Sequence, residues 1–141
     1  MKHTLALRLL TLAMPAFGAV GLPSLDASKA LANQSTLLLA QEKFDGGFQV
    51  LKRHWPLPAA ELQLVIRQTT ADWPRLRQRH GKTQGITYLG EQQLSPTFVR
   101  YSYLHRFEKG SGQWQFTFQQ YQGTWLVDGV VFVEAQPSPG A

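Results

Sequence analysis

"SGQWQFTFQQYQGTWLVDGVVF", residues 111–132, decides the architecture of this chain. Trp114, Phe116 and Phe118 alternate with Gln115, Thr117 and Gln119, and a second apolar run comes after "QG" at 122–123. Alternation of large apolar and polar residues is the pattern of a half-buried strand. A two-residue gap containing Gly joins antiparallel neighbours, because Gly accepts the positive φ that such turns need. Upstream, "TFVRYSYLHRFE" (97–108) puts Val99, Tyr101, Tyr103 and Phe107 on one face of another strand. "KGSG" (109–112) turns it into the next strand, and "ITYLGEQQL" (86–94) comes before it. Four strands linked by short turns make an antiparallel sheet with one buried face. The aromatic row is therefore first of all core.

Before Gly85 the period is helical. "NQSTLLLAQEKFDGGFQVLKRHW" (33–55) carries Phe44, Phe48, Leu51 and Trp55 on one stripe, with Asn33 or Ser35 as the expected N-cap. Gly46–Gly47 weakens its middle, so the segment is either one bent helix or two short ones. Pro56 and Pro58 break it. "PAAELQLVIRQTTADW" (58–73) aligns Leu62, Val65, Ile66, Thr69 and Trp73 on a single face. Pro74 is expected to end or kink this helix, and Gly81 to cap the short stretch "RLRQRH" beyond it. Helices first and strands afterwards indicate an α+β domain, with the helices packed on one face of the sheet. The tail "AQPSPGA" (135–141) reads as disordered.

The N-terminus has a different character. Lys2, His3 and Arg8 precede apolar residues from Leu9 to about Val20, and "ALA" (30–32) supplies small residues where a signal peptidase reads them. That order marks residues 1–32 as a secretory leader, with cleavage after Gly18 as the alternative and residues 33–134 as a single domain. The destination is the periplasm or the exterior. The chain as a whole carries a net charge of +5, and the part after residue 32 holds 11 basic and 8 acidic residues, a net charge of +3. This is far from the footprint of a nucleic-acid binder. The chain has no Cys, so no disulfide supports it.

The helices, the Gly81–Lys82 step into the sheet and the strands bearing Tyr103, Trp114, Phe116, Phe118, Trp125 and Phe132 resemble the nuclear transport factor 2-like superfamily over residues 36–134. In particular the chain resembles small exported bacterial members of unassigned function. It implies a cone-shaped α+β fold whose curved sheet and helices enclose a pocket. Some members are enzymes of ketosteroid isomerase-like or SnoaL-like type, and many are binding modules or dimers. Many relatives carry a Tyr directly after the second Phe; Gln119 stands there instead, so no role of that Tyr carries over.

Three function classes are compatible with these residues. A binding or scaffolding domain would use Tyr101, Tyr103, Trp114, Phe116 and Phe118 to line or underlie a pocket for a small apolar ligand. A pocket enzyme of isomerase, dehydratase or hydrolase type would use His105, which shares a strand face with Tyr101 and Tyr103, together with Asp128. A cell-envelope interaction module would dock through the basic run of Arg75, Arg77, Arg79 and Lys82, whose bland counterpart is a solvated helix end. The outward residues Arg100, Ser102, Arg106, Gln115, Thr117, Gln119 and Tyr121 form a polar sheet surface, equally suited to solvation or to a homodimer through the sheet. His54, His80 and His105 lack the i, i+4 spacing of a helical zinc site, so no metal and no cofactor are expected.

Overall fold

A computed structural model describes residues 18–135 and, in addition, the backbone of residues 4–6. Residues 1–3 and 7–17 of the expected leader, and all but Ala135 of the expected tail, lie outside the described residues. The chain runs β1 (Thr4–Ala6), α1 (Leu25–Ala40), α2 (Phe44–Lys52), α3 (Ala59–His80), β2 (Thr83–Ser95), β3 (Phe98–Phe107), β4 (Ser111–Tyr121) and β5 (Thr124–Glu134). The sheet is open, its strand order is β1-β5-β4-β3-β2, and every neighbouring pair is antiparallel. This is the α+β arrangement that the sequence indicates: three helices, then a meander of four strands. Gln122 and Gly123 both take positive φ (50° and 80°), as a tight hairpin turn after a right-twisted strand requires.

The first helix starts earlier than the sequence pattern suggests. Its N-cap is Ser24, whose hydroxyl accepts the Ala27 N–H at 3.1 Å, and neither Asn33 nor Ser35 caps anything. Ser28, Leu31, Ala32, Ser35, Thr36 and Leu39 form its buried stripe. The expected domain start at residue 33 therefore falls inside α1. Residues 25–32 belong to the fold because Leu31 and Ala32 are core and Ser28 bonds Tyr101 across 2.8 Å. Contacts with the rest of the domain reach back further still. Leu22 and Trp125 exchange both backbone hydrogen bonds (2.7 and 2.8 Å), and Val20 N–H meets the Arg53 carbonyl at 2.8 Å. The alternative boundary after Gly18 leaves all of these intact.

Of the two helical options over residues 33–55, the structure takes the pair. Glu42, at φ 61°, turns α1 into α2. The helices then cross so closely that a Cβ on Gly47 would lie 2.6 Å from Leu39 Cδ2, and Ser35 Oγ donates to the Gly47 carbonyl at 2.7 Å. The absent side chain is what lets this hairpin close. Pro74 does not end α3, which continues to His80 and is capped by Gly81. A Pro inside a helix costs about 3 kcal/mol. Burial of Trp73, Leu76 and His80 on both sides of it holds the last turns down against that cost.

The core fills the space between the helices and the inner sheet face. Cross-strand rows run Tyr101–Phe116–Val130, Tyr103–Trp114–Phe132 and His105–Gly112–Glu134. Trp73 sits over these rows from α3, with the rings of Phe44, Phe132, His105, Phe107 and Trp114 centred 5.1–5.8 Å away.

Candidate functional site

The five aromatics expected to line or underlie a pocket are core residues. Trp114, Phe116, Phe118 and Tyr101 are fully buried, and Tyr103 is 3% exposed. Both phenols are tied to α1. Tyr101 Oη lies 2.8 Å from Ser28 Oγ and donates to the Leu25 carbonyl at 3.1 Å, and Tyr103 donates to Asn33 Oδ1. Burial raises both phenol pKa values, so these hydroxyls stay protonated donors. Three grooves bounded by described residues have volumes of about 620, 520 and 330 Å³, and none of the five aromatics lines them.

His105 is likewise a core group. Trp114 Nε1–H can only donate, so its 3.1 Å bond to His105 Nδ1 makes that nitrogen the acceptor. The proton then resides on Nε2, 2.7 Å from Thr83 Oγ1. Burial among Trp73, Phe107 and Phe132 lowers the imidazole pKa from 6.5 to about 4. The ring is neutral at neutral pH and both its nitrogens are engaged. Its expected partner Asp128 is elsewhere. Phe118 pairs with Val127 and Thr117 with Gly129, which leaves buried Asp128 as the extra residue of a β-bulge. His105 lies in the row that ends at Glu134, six residues further along β5, a separation of roughly 20 Å at strand rise. The structure does not bring the proposed acid–base pair together.

A buried ionic cluster that sequence reasoning missed lies at the His105 end of the sheet. His80 Nε2 and Glu134 Oε2 make a short hydrogen bond, Arg79 Nη1 reaches the same oxygen at 2.5 Å, and His80 and Glu134 are each 3% exposed. Burial alone would raise the Glu134 pKa, but the hydrogen bonds from His80 and Arg79 outweigh it and the carboxyl titrates below its usual range. Glu134 Oε1 has no hydrogen-bond partner among the described residues. Below the His80 ring lies Gly110, where a Cβ would come within 2.2 Å of Nδ1. The signal for the cluster existed in the sequence. The α3 stripe 62, 65, 66, 69, 73 continues at 76 and 80, and Glu134 continues the inward run of Val130 and Phe132.

The basic run is largely neutralised. Arg77 pairs with Glu42 at 2.8 Å, Arg79 with Glu134 at 2.5 Å and Arg75 with Asp72 at 3.6 Å. Lys82 remains exposed, and its N–H donates to Glu108 Oε1 at 2.7 Å. Of these, Glu42, Arg77, Lys82 and Glu108 supply charge to the lining of the 620 Å³ groove, and Phe44, Trp73 and Pro74 supply its apolar part. On the outer sheet face, Leu104, Gln113, Gln115 and Val133 line the 330 Å³ groove. No group of three metal-ligating side chains occurs among the described residues, and no helix among them is long and apolar enough to cross a membrane. Comparison with known protein families, curated proteins and solved structures finds no match to this chain.

Proposed function

We propose that this protein is an exported domain of nuclear transport factor 2-like type that binds or scaffolds in the cell envelope and works through its surface. The observation that carries this reading is the packed interior. The side chains best suited to line a ligand pocket are buried, and the two phenols among them are hydrogen-bonded to α1. Export is supported by the basic and apolar order of residues 2–17, with Ala16 and Gly18 as the small residues before a cleavage that spares α1. Removal of residues 1–18 leaves 12 basic and 9 acidic residues, a net charge of +3. The partner-facing surface is the groove at the C-terminal end of α3, which combines aromatic lining with cationic Lys82. Such a mixture suits a protein partner better than a small apolar molecule.

A photo-reactive residue at Gln78, in the wall of this groove, tests the reading against one at Gln122, in the β4–β5 turn. In cells that export the protein, a discrete adduct with an envelope protein forms from position 78, not from 122, and Lys82→Glu suppresses it. Equal labelling from both positions, or none from either, overturns the assignment.

A further inference from the structure

The two edges of this sheet are closed in different ways. At the β2 edge, pairing with β3 is interrupted by three irregularities, between Thr83 and Gly85, Tyr88 and Gly90, and Gln93 and Ser95. Bulges of this kind spoil an edge as a template for another strand. Along β5 the closure is piecemeal. Leu22 takes both backbone groups of Trp125, and the His54 carbonyl takes the Val127 N–H at 2.8 Å. Beyond the bulge at Asp128, the ladder between β5 and β4 is regular to Glu134. There the edge is occupied by β1, with Thr4 opposite Val133, Leu5 opposite Phe132 and Ala6 opposite Val131. The strand that covers this stretch belongs to the expected leader.

We infer that removal of the leader opens the Val131–Val133 edge and that a second copy of the chain occupies it, β5 against β5, antiparallel about a two-fold axis through Phe132. This rests on the export reading proposed for residues 1–18. Three observations favour a second copy as the occupant. The edge accepts an antiparallel strand within this chain, so its geometry is competent for one. The pairing is self-complementary: Val131 faces Val133 of the partner subunit twice, and Phe132 faces its own equivalent. No like charges meet, because Glu134 falls opposite Val130, and β-branched residues favour such ladders. The result joins two four-stranded sheets edge to edge, leaving the grooves beside α3 outside the interface.

The protein is tested as exported material collected from the periplasm of an expressing bacterium. N-terminal sequencing reports whether the leader is gone, and light scattering on the same sample reports the mass. The expected result is an N-terminus near Ala19 and twice the monomer mass. Val131→Lys combined with Val133→Lys sets Lys against Lys twice across the two-fold axis, on half-exposed positions that tolerate it. It raises the dimer dissociation constant by about ten-fold or more. Mixing this variant with Val131→Glu combined with Val133→Glu restores dimers, a result that a folding defect cannot give. A processed protein that stays monomeric, or a dimer indifferent to both charge sets, overturns the edge inference and leaves export standing. An N-terminus still at Met1 overturns export, and the edge inference with it.

Discussion

Replacing His105 by Gln will flatten the acid side of the stability profile. In the folded protein the imidazole is neutral, accepts from Trp114, donates to Thr83 and has its pKa lowered from 6.5 to about 4 by burial. The unfolded chain carries an ordinary His. Above pH 6.5 neither state binds the proton and His105 contributes no pH dependence. Between 6.5 and about 4 the unfolded state takes up the proton and the folded state does not, so stability falls as pH falls. The linkage amounts to about 2 kcal/mol at pH 5, and to roughly 3 kcal/mol once pH is below both values. Gln can accept from Trp114 and donate to Thr83 without titrating. Urea unfolding of both proteins from pH 7 to 4.5 measures the difference. The wild type loses that amount more than His105→Gln does, whatever the offset between them at pH 7. Parallel profiles, or an NMR midpoint for His105 near 6.5, refute the buried neutral imidazole.

The ionic cluster at the end of β5 has the same direction of pH dependence through a different group. Glu134 titrates below its usual value in the fold, so its contribution is present above the unfolded carboxylate range and fades as pH falls through the folded value. Glu134→Gln costs about 3 kcal/mol at neutral pH in denaturant unfolding, and removes the part of the slope below pH 4.5. Gly110→Ala drives a methyl group toward His80 Nδ1, and thermal unfolding shows a loss of about 1–3 kcal/mol that Gly123→Ala, where no atom lies within 4 Å, reproduces only through its positive φ. A chain that begins at Ala19 gives cooperative unfolding by circular dichroism, and one that begins at Asn33 does not, because the latter lacks Ser28, Leu31 and the Leu22–Trp125 pairing.

The strands were legible because their faces differ sharply. A run such as Trp114–Gln115–Phe116–Thr117–Phe118 leaves one register in which the aromatics go inside, and a slip by one residue would expose all three. The start of α1 was hidden for the opposite reason. Its buried stripe is Ser28, Leu31, Ala32, Ser35, Thr36 and Leu39, half of it small polar residues whose hydroxyls donate to backbone carbonyls. Ser28 and Thr36 donate to carbonyls within their own helix at 2.7 Å, so they pack without an apolar signature. The same stretch holds "ALA" (30–32), the small residues read as a cleavage site, and the structure places them inside α1. Pro74 divided α3 in the sequence reading, so the apolar stripe was not followed across it to Leu76 and His80. The candidate site was harder still. Period counting put His105 correctly on the inner face with Tyr101 and Tyr103, but it cannot distinguish a cavity wall from a packed core. Nor can it show that Asp128 sits at a bulge far along the sheet from His105.

A filled interior is the central claim, and xenon under pressure probes it directly. Crystals of the chain that begins at Ala19 are pressurised and the anomalous density is examined between the sheet and α1, beside Tyr101, Trp114, Phe118 and His105. Xenon enters apolar cavities large enough to hold it and leaves close-packed cores empty. No site is expected there. A xenon peak enclosed by those side chains would contradict the packed interior, and would return the protein to the class of small-molecule binders.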